Sequence, residues 1–427
     1  MKTALYKFYS WGRSTLSISS KNYLNSKKFQ HNSLAIGKSM SYGDCCLNQE
    51  GNIYQITDNK IISFDKNKGF ITCQSGLTIA DLHKITIPLG WMIPVSPGCE
   101  NITIGGAVAN DVHGKNFHRY ASFGSHIDFL IILKSNGKKI FCSKTKNVNL
   151  FKATIGGIGL TGIILEIGFK LRKIDTILTD TYFKTFSDIR CYLQIAKEFD
   201  SKFEFSAAWV DLSNYSCGRG VVFGSNFSKQ KYLPTQYKKK VLFKLPNLKI
   251  NFINRITSIL FSKIYYLRYK LSFAKYFQNT IFDVLYPLDS IENWNLIYGN
   301  KGFIQIQASC SKNNFVSFFN DISKKILSKT SSPLTVIKML DKKKSIGILS
   351  FPKTGHITIA IDIPNKDFSD QFFYEIESIV DKYNGRFYLA KDSFMSKNFF
   401  YKSYKRIPQF MKYKDKNLTS SMYKRLF

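Results

Sequence analysis

Three glycine-rich segments between residues 37 and 162 constrain the fold of this chain more than any other feature. They are residues 37–44 (GKSMSYGD), 97–107 (PGCENITIGGA) and 156–162 (GGIGLTG), and each follows a predicted strand or leads into one. Glycine adopts positive φ at little cost and lets backbone N–H groups approach a ligand closely, so successive glycine turns suit a pyrophosphate. An ordinary tight turn explains any one of them. It explains the three together poorly, and we therefore predict an anion-binding site built from all three.

The part of the chain that contains these turns has the pattern of an α+β domain. Short apolar and β-branched runs at residues 34–36, 61–64, 70–73, 129–133 and 162–165 predict strands. Between them, Thr78 to Ile87 predicts a short helix with Ile79, Leu82 and Ile85 on its apolar face and Asp81, His83 and Lys84 facing outward. A Rossmann fold is excluded, since no G-x-G-x-x-G opens a helix after the first strand with an acidic residue about 20 positions later.

The rest of the chain predicts a second, α/β domain and a C-terminal return. The 427 residues, 44% of them hydrophobic and 15% aromatic, suffice for two or three cores. Helical patterns at residues 189–199, 315–327 and 372–383 alternate with predicted strands at 205–210, 303–308 and 357–363. From Gly385 a turn, a strand and a basic helix-like segment follow. We therefore predict domains at 1–171 and 172–384 and a terminal segment at 385–427.

Clustered charge, rather than total charge, carries information about partners. The chain has 62 Lys and Arg against 29 Asp and Glu, but only ten of the 62 are Arg, a bias that an A/T-rich genome produces without any function. Residues 212–282 differ, because they contain 13 Lys or Arg, no Asp or Glu, and many aromatic and aliphatic residues. Such a segment suits an anionic membrane surface, where each cation contributes about 1 kcal/mol. A solvated basic helix over core aromatics explains it equally well. Nucleic acid ranks lower, since no helix-turn-helix, RNP or zinc-finger pattern accompanies the charge.

Cysteine spacing and hydropathy predict the compartment. The eight cysteines form no C-x-x-C pair and lie near no His at zinc-finger spacing, which predicts reduced thiols in the cytosol and no metal site. The longest charge-free apolar run around the glycines, Ala153 to Leu165, is shorter than the roughly 20 residues of a bilayer span. Lys7 and Arg13 interrupt the N-terminal apolar residues, so no signal-peptide core is predicted. These patterns predict a protein that stays inside the cell.

Two further motifs extend the glycine pattern into a family resemblance. Residues 108–116 (VANDVHGKN) directly follow the second glycine segment, and residues 388–393 (YLAKDS) lie near the C-terminus. Together with the glycine segments they resemble the vanillyl-alcohol oxidase superfamily and, within it, the decaprenylphosphoryl-β-D-ribose 2-oxidase family. The resemblance continues at residues 207–211 (AAWVD), 286–289 (YPLD), 302–307 (GFIQIQ) and 385–387 (GRF), and so spans nearly the whole chain.

The resemblance implies an α+β fold with a two-subdomain FAD-binding domain of the PCMH type, an α/β cap that covers the flavin ring, and a C-terminal segment that completes the FAD domain. It implies that FAD lies between the two subdomains, with its pyrophosphate on the backbone of residues 37–44 and 98–107. The residues expected to bind FAD are Gly37, Ser39, Met40, Ser41, Tyr42, Gly43, Gly98, Asn101, Thr103, Gly105, Gly106, Ala109, His113, Gly114, Gly157, Gly159, Gly162 and Ile163.

Departures from the family pattern imply a noncovalent flavin. Relatives that bind flavin covalently have a His in the first loop, where this chain has Met40, and a thioether cannot form that link. Ser39 replaces a usual glycine in the same loop and so affects its fine geometry. Ala360 stands where actinobacterial members have a Cys, so no reactive thiol is expected at the ring.

The implied chemistry is oxidation of a secondary alcohol, in which the flavin takes the carbon-bound hydrogen as hydride and a base takes the hydroxyl proton. Lys391 is expected to orient the hydroxyl or, if burial lowers its pKa, to accept its proton. The expected catalytic residues are Lys391, His113 and Tyr388, and the expected substrate-binding residues are Lys115, Trp209, Tyr286, Gln305 and Gln307. Gln305 and Gln307 alternate on a strand and are therefore expected to share a face.

The implied substrate is a polyprenyl-phosphoryl pentose, whose 2-hydroxyl becomes a keto group for a separate NAD(P)H-dependent short-chain reductase in cell-envelope glycan synthesis. Such an enzyme is expected in the cytoplasm, peripherally bound to the inner face of the plasma membrane, with no nucleic acid partner. Two alternatives remain: an aldonolactone or alditol oxidase acting on a soluble sugar, and a nonenzymatic nucleic-acid- or membrane-binding protein with vestigial flavin loops.

Overall fold

The computed structural model describes residues 4–24, 29–214, 218–237, 241–247, 249–340 and 344–427. Helices and sheets alternate through these residues, which confirms the α+β class. The strands and helices predicted in both regions all form, and several of them are longer than predicted.

The first region contains two main sheets and four short α-helices. Its strands are β1 (Leu5–Tyr9), β2 (Leu16–Tyr23), β3 (Ser33–Ile36), β4 (Asn52–Gln55), β5 (Ile61–Asp65), β6 (Phe70–Gln74), β7 (Trp91–Met92), β8 (Ile127–Leu133), β9 (Lys139–Ser143), β10 (Ile163–Lys170) and β11 (Arg172–Lys173). Its helices are α1 (Ile79–Thr86), α2 (Ile104–Ala109), α3 (Phe117–Tyr120) and α4 (Val148–Thr154). Among the described residues, one sheet has the order β1-β2-β4-β3 and the other β5-β6-β10-β8-β9.

The second region and the C-terminal segment contain the remaining elements. The strands are β12 (Leu178–Phe186), β13 (Phe205–Val210), β14 (Gly220–Phe227), β15 (Phe243–Lys244), β16 (Tyr276–Thr280), β17 (Ile291–Glu292), β18 (Phe303–Ser311), β19 (Leu334–Leu340), β20 (His356–Pro364) and β21 (Arg386–Phe387). The helices are α5 (Ile189–Lys202), α6 (Arg255–Lys270), α7 (Ile281–Leu285), α8 (Phe315–Lys329), α9 (Asp370–Lys382), α10 (Lys397–Ser403), α11 (Ile407–Met411) and α12 (Ser421–Leu426).

The second region is organised by one large sheet with the order β16-β12-β14-β13-β19-β20-β18-β21. Alternation along each strand gives the sheet two chemically different faces. On β20, the four isoleucines from Ile357 to Ile363 are fully buried in one core with residues of α5, α8 and α9. The intervening Ala360 and Asp362 face the opposite side, together with Gln305 and Gln307 of β18. The prediction that the two glutamines share a face is confirmed.

Packing from a distant part of the chain changes the buried face of α1. Leu82 is buried as predicted, but Ile85 is exposed and His83, predicted to face outward, is fully buried. Burial lowers the pKa of His83 to about 3. The prediction for His83 and Ile85 was wrong because an aromatic cluster from the second region covers this side of the helix; its rings are Tyr237, Phe282 and Tyr286.

Hydrogen bonds hold the part of the C-terminal segment near residue 391 against the first glycine segment. The Tyr42 N–H donates to the Ala390 carbonyl at 3.0 Å, and the Asp44 N–H donates to the Asp392 carbonyl at 3.3 Å. From α12, Arg425 donates to the carboxylates of both Asp44 and Asp392 at 2.9 Å. The two loops are therefore held together by backbone bonds and by a shared guanidinium.

Two packing features cross the predicted boundaries after residues 171 and 384. Strand β21 lies beyond the second boundary yet pairs with β18, so the C-terminal segment extends the sheet of the second region before it returns to the first. Inside the predicted cap, Ile281, Val284, Leu285 and Tyr286 are buried in the same core as α1. The boundaries themselves stay predictions.

Within the described ranges, no helix combines the length and the apolarity that crossing a bilayer requires. In the same residues, no group of three or more His, Cys, Asp or Glu side chains has an arrangement suited to a metal ion. Seven of the eight cysteines lie in the described part of the chain, where all seven are free thiols, and Cys217 lies outside it.

Candidate active site

A cavity of about 670 Å³ lies between the first region and the large sheet of the second. Its size is that of a ligand or cofactor pocket. All three glycine segments contribute to its wall, together with one face of the sheet, helix α6 and residues 388–391. The three glycine segments therefore line one cavity, and the binding of an anion there stays a prediction.

The first glycine segment lies so close to the second that a glycine is required at their contact. A Cβ atom on Gly37 would lie 2.3 Å from Oγ1 of Thr103. That hydroxyl accepts a hydrogen bond from the Gly106 N–H at 3.1 Å and so caps α2. Ser39 has a φ of 53°, the left-handed conformation that glycine favours, and both Ser39 and Met40 lie on the cavity wall. Ser39 therefore adopts a backbone conformation that glycine favours, at the position where the family usually has a glycine.

Two glycines leave their backbone open to the cavity. An added Cβ on Gly98 would meet nothing within 4 Å, and one on Gly159 would meet nothing closer than 3.9 Å. Next to Gly159, Ile158 has a φ of 47°, which is strained for a β-branched residue, and its N–H donates to the Ala109 carbonyl at 2.8 Å. The third glycine segment is therefore held against the end of α2 in a conformation that presents bare backbone to the cavity.

The predicted cofactor-binding residues divide into two groups. Those on the cavity wall are Gly37, Ser39, Met40, Ser41, Tyr42, Gly98, Thr103, Gly106, Ala109, His113 and Gly159. Those that do not line the cavity are Gly43, Asn101, Gly105, Gly114, Gly157, Gly162 and Ile163. Close backbone approach explains glycines of the second group: a Cβ on Gly43 would lie 1.8 Å from the Asp392 carbonyl oxygen, and one on Gly105 would lie 2.8 Å from Cβ of Ser75. These glycines lie behind the cavity wall, where they allow neighbouring segments to pack closely.

Lys391 lies at the cavity wall beside a buried carboxylate. Its Nζ is 3.2 Å from the centroid of the Tyr42 ring. Burial lowers the pKa of Lys391, and the carboxylate of Asp362 opposes that shift. Burial also raises the pKa of Asp362, whose Oδ1 accepts a hydrogen bond from Nε2 of Gln305 at 2.5 Å. Its Oδ2 has no hydrogen-bond partner among the described residues. Two groups with shifted pKa values therefore face one cavity, as in many active sites.

His113 links the first region to the sheet across the cavity. Its Nε2 lies 3.1 Å from Nε2 of Gln307, and its Nδ1 lies 3.4 Å from Nζ of Lys338. Burial and the positive charges of Lys338 and Lys391 lower the pKa of His113 well below its usual value. The imidazole is therefore neutral at pH 7, and since a neutral ring accepts at only one nitrogen, it accepts from one of these two donors while its other nitrogen carries the proton.

Sequence reasoning missed two ionisable groups of this cluster, Lys338 and Asp362. Each lies inside an apolar strand, Lys338 within LTVIKML and Asp362 within ITIAIDI. Burial lowers the pKa of Lys338 to about 8. A charged residue within an apolar strand was the available signal, since Lys and Asp are rarely buried without a partner or a function.

Tyr388 lies on the cavity wall with its hydroxyl already bonded. The hydroxyl donates to the Asn110 carbonyl at 2.9 Å, and the ring stacks on Phe351 with centroids 4.9 Å apart. Burial raises the pKa of Tyr388 well above its usual value. The ring also contacts that of His113, with centroids 5.5 Å apart. This geometry favours positioning of His113 over proton transfer by Tyr388.

Four of the five predicted substrate-binding residues lie on the cavity wall, namely Lys115, Trp209, Gln305 and Gln307. Tyr286 does not, and this corrects the prediction. Its ring is buried in the core of the first region, and its hydroxyl forms a 2.5 Å hydrogen bond with Ser96. Tyr286 is a core residue because its ring packs beside His83 of α1, although Asp283, Val284 and Leu285 of α7 do line the cavity.

Four lysines, Lys38, Lys115, Lys338 and Lys391, lie on the cavity wall and give it a positive character. Burial lowers the pKa of Lys115 to about 7, and its Nζ donates to a backbone carbonyl of α7. Within the described ranges, the acidic residues on the wall are Asp283 and Asp362. Asp283 is already engaged in the N-terminal capping box of α7. The cavity therefore favours a ligand that carries negative charge.

Comparison with known proteins agrees with this geometry. Residues 22–143, which include the first two glycine segments, match the family model described as an FAD binding domain. The decaprenylphosphoryl-β-D-ribose oxidase of Mycolicibacterium smegmatis is 30% identical over 399 residues, which cover 89% of this chain and 84% of that protein. The chain belongs to the decaprenylphosphoryl-β-D-ribose oxidase family.

Other relatives share shorter stretches with this member of the decaprenylphosphoryl-β-D-ribose oxidase family. The putative D-arabinono-1,4-lactone oxidase of Neurospora crassa is 28% identical over 151 residues, which are 35% of this chain and 27% of that protein. The L-gulonolactone oxidase of Mus musculus is 24% identical over 109 residues, which are 26% of this chain and 24% of that protein. The chain is an FAD-dependent oxidoreductase with a PCMH-type FAD-binding fold.

FAD is the cofactor of this decaprenylphosphoryl-β-D-ribose oxidase family member, and the cavity fits it. The backbone at Gly98 and Gly159 borders open space that an added Cβ would fill, as a dinucleotide diphosphate requires. Wall residues from the three glycine segments and from the end of α2 would hold the cofactor. Ala360 lies on the same wall, opposite Gln307 in the strand register.

Proposed function

We propose that this protein uses FAD to oxidise the 2-hydroxyl of a polyprenyl-phosphoryl pentose to a keto group. The name of the Mycolicibacterium smegmatis relative, which specifies a decaprenylphosphoryl ribose, supports the substrate class. The structural observation that carries the proposal is the distribution of side chains across the sheet that lines the cavity.

The strand order separates a polar end of the cavity from an aromatic end. The polar end consists of Lys338, Asp362, Gln305 and Gln307, on the adjacent strands β19, β20 and β18. The rings of the aromatic end come from β13, β14, β16 and α6, namely Trp209, Phe223, Phe277, Phe261, Tyr265 and Tyr269. Three polar residues also line this end, Thr181, Ser225 and Asn279, and Thr181 hydrogen-bonds to both of the others. Because neighbouring strands lie about 4.8 Å apart, β18 and β16 are separated by roughly 29 Å. A charged sugar head and a long apolar chain fit these two ends.

Lys391 acts as the base that accepts the proton released by the oxidation. When bound, FAD supplies the oxidising group, which accepts the carbon-bound hydrogen of the alcohol as hydride. Burial lowers the pKa of Lys391, so more of its Nζ is neutral near pH 7 than in a solvent-exposed lysine, and the neutral amine accepts the hydroxyl proton. The carboxylate of Asp362 then stabilises the ammonium that has formed.

The remaining residues of the polar end hold the head of the substrate. Lys338, with a pKa lowered to about 8, is still mostly protonated at pH 7 and supplies positive charge for the phosphoryl group. The amide of Gln307 is fixed by His113 and by Thr358, whose Oγ1 accepts from it at 3.3 Å. Gln305 is fixed by Asp362. Two amides with set orientations are suited to bind the hydroxyls of one sugar.

We further propose that this reaction, which yields a keto product, is the first half of an epimerisation. A separate NAD(P)H-dependent short-chain reductase would return hydride to the opposite face of the carbonyl and so invert the configuration at that carbon. Under this proposal, the enzyme works in cell-envelope glycan synthesis, in the cytoplasm at the inner face of the plasma membrane.

Anaerobic reduction of the bound flavin tests the substrate. Farnesylphosphoryl-β-D-ribose should bleach the visible flavin absorbance and give a product two hydrogen atoms lighter by mass spectrometry. The comparison substrates are L-gulono-1,4-lactone and D-arabinono-1,4-lactone, after which the two relatives with shorter matched stretches are named. Reduction by a lactone without reduction by the ribosyl lipid would overturn the proposal in favour of an oxidase of soluble sugars.

We also propose that the FAD is held without a covalent bond, because Met40 occupies the loop position at which covalent relatives carry a His. Acid precipitation of the purified protein should leave all flavin absorbance in the supernatant. A yellow pellet would contradict this proposal and would direct attention to His113, which also lies on the cavity wall.

A further inference from the structure

Helix α6 already has one side occupied by contacts with its own domain. Ser258, Ser262 and Tyr266, spaced four residues apart, are buried on the side that contacts β12 and β14. Three aromatic residues of the same helix line the aromatic end of the cavity, namely Phe261, Tyr265 and Tyr269. Packing against the sheet therefore accounts for the inner half of the helix surface.

The outer side of α6 carries a second apolar surface. Ile256, Leu260 and Ile264 are 78%, 57% and 60% exposed, and Leu271, directly after the helix, is 70% exposed. With 3.6 residues per turn, these four positions fall within a sector of roughly 80° on the side opposite the buried residues. We call these four residues the α6 stripe. A surface helix normally presents polar residues on this side, and a contiguous exposed apolar patch marks an interaction site.

Basic residues border the α6 stripe on both sides. By the same helical geometry, Lys263 and Lys270 lie along one border and Arg268 along the other, and all three side chains are exposed. The flanking segments add further exposed apolar residues, namely Ile250, Phe252 and Phe273. No Asp or Glu occurs anywhere from residue 212 to residue 282, although residues 215–217, 238–240 and 248 of this stretch lie outside the described ranges.

We propose that the α6 stripe inserts into the boundary between headgroups and acyl chains of an anionic lipid bilayer, with Lys263, Arg268 and Lys270 against the headgroups. An apolar stripe bordered by cations is the surface that such a bilayer complements. A second copy of this chain would place the same cations against each other. A nucleic acid would match the cations but would leave the four aliphatic side chains without an apolar partner.

The same helix connects this surface to the cavity. Because the α6 stripe and the ring-bearing side of α6 belong to one helix, an apolar chain that leaves the bilayer along α6 reaches the aromatic end of the cavity. This step rests on the proposed function, since it assigns the aromatic end to the lipid chain. The docking itself depends only on the outer surface of the helix.

Cosedimentation with vesicles tests the docking without reference to catalysis. The FAD-loaded full chain should pellet with vesicles of phosphatidylcholine containing about 30% phosphatidylglycerol and should stay in the supernatant with phosphatidylcholine alone or in about 0.5 M salt. The triple variant Ile256→Ser, Leu260→Ser, Ile264→Ser should lower the partition coefficient by at least about tenfold. The matched control Ile62→Ser, Ile85→Ser, Leu89→Ser, which changes exposed residues of the first region, should bind like the unmodified protein.

A charge variant tests the borders of the α6 stripe separately. Lys263→Glu with Lys270→Glu should lower the partition coefficient by at least about 30-fold, since each reversal removes one favourable charge and adds an unfavourable one. Lys139→Glu with Lys197→Glu makes the same change of net charge at exposed sites outside the segment and should have an effect of less than about threefold.

Three results would overturn the docking proposal: unchanged binding of the triple variant, binding indifferent to anionic lipid and salt, or a dimer in solution that the triple variant abolishes. The proposed function has its own readout, because all variants should still be reduced by farnesylphosphoryl-β-D-ribose in solution. Normal flavin reduction with failed docking leaves the proposed function intact. Docking without flavin reduction by any ribosyl lipid would support the docking proposal and overturn the assigned substrate.

Discussion

The polar end and the aromatic end of the cavity lie on one sheet but are held in different ways. At the polar end, polar contacts fix each group: Gln305 donates to Asp362, and Gln307 and Lys338 lie against the two ring nitrogens of His113. At the aromatic end, rings pack on rings, with Trp209 and Tyr265 centroids 4.8 Å apart and Phe223 and Tyr269 centroids 5.1 Å apart. Directional bonds hold reacting atoms in one geometry, whereas ring packing tolerates many shapes of an apolar chain. Under the proposed function, this difference assigns chemistry to one end and chain binding to the other.

The largest effect should come from the proton acceptor of the polar end. Lys391→Met removes the amine that accepts the hydroxyl proton in the proposed reaction. The value of kcat/KM should therefore fall by about 10³-fold, within the range of general-base catalysis. Stopped-flow measurement of flavin reduction isolates this step from later ones.

Two variants separate a chemical role of Lys391 from a structural one. Lys391→Arg keeps the positive charge but cannot accept a proton, and it should be as slow as the Met variant with normal flavin content. Lys366→Met, at an exposed lysine, should leave the rate unchanged. Recovery of most activity in the Arg variant would show that charge, not proton transfer, is what Lys391 supplies.

Asp362 should control the pH at which the polar end works. Flavin reduction in the unmodified enzyme should rise with pH as Lys391 loses its proton, at a pKa that burial lowers and the Asp362 carboxylate raises. Asp362→Asn removes the raising contribution, so the pKa of Lys391 falls and the rising limb should move by about one pH unit to lower pH. Loss of the charged hydrogen bond that fixes Gln305 should also lower the plateau rate by about 30-fold.

Asp367→Asn is the matched control for this profile. It breaks an exposed ion pair with Lys301 and should leave both the limb and the plateau unchanged. A limb that stays in place in Asp362→Asn, or moves to higher pH, would contradict the assignment of Lys391 as the titrating base.

Features that depend on local sequence were predictable. The three glycine segments predicted a shared site because positive φ and close backbone approach are properties of the residues themselves. Strand alternation predicted that Gln305 and Gln307 share a face, and the family motifs around His113 and Lys391 predicted that both residues lie at the site, where both line the cavity. The loops carry their signal within a few consecutive residues, so a single chain was enough to detect it.

Features that depend on distant contacts were not predictable. Asp362 and Lys338 become site residues only because β20 lies between β18 and β19 in the sheet, and neither strand's sequence predicts that order. His83 and Tyr286 pack on each other, although one was assigned to solvent and the other to the substrate pocket. In each of these cases, an element outside the local sequence pattern of the residue decides its environment.

The aromatic end should show a smaller effect that depends on chain length. Tyr265 lines the cavity and packs on Trp209, so Tyr265→Ala should raise KM about fivefold for a substrate with a long prenyl chain, in line with the value of one aromatic contact. For a ribosyl phosphate with a very short chain, kcat/KM should stay unchanged, because that substrate reaches only the polar end. Tyr374→Ala, at an exposed tyrosine on α9, is the control for both substrates. An equal loss for short and long chains would mean that Tyr265 supports the cavity as a whole, and the division of the cavity into a reacting end and a chain-binding end would have to be abandoned.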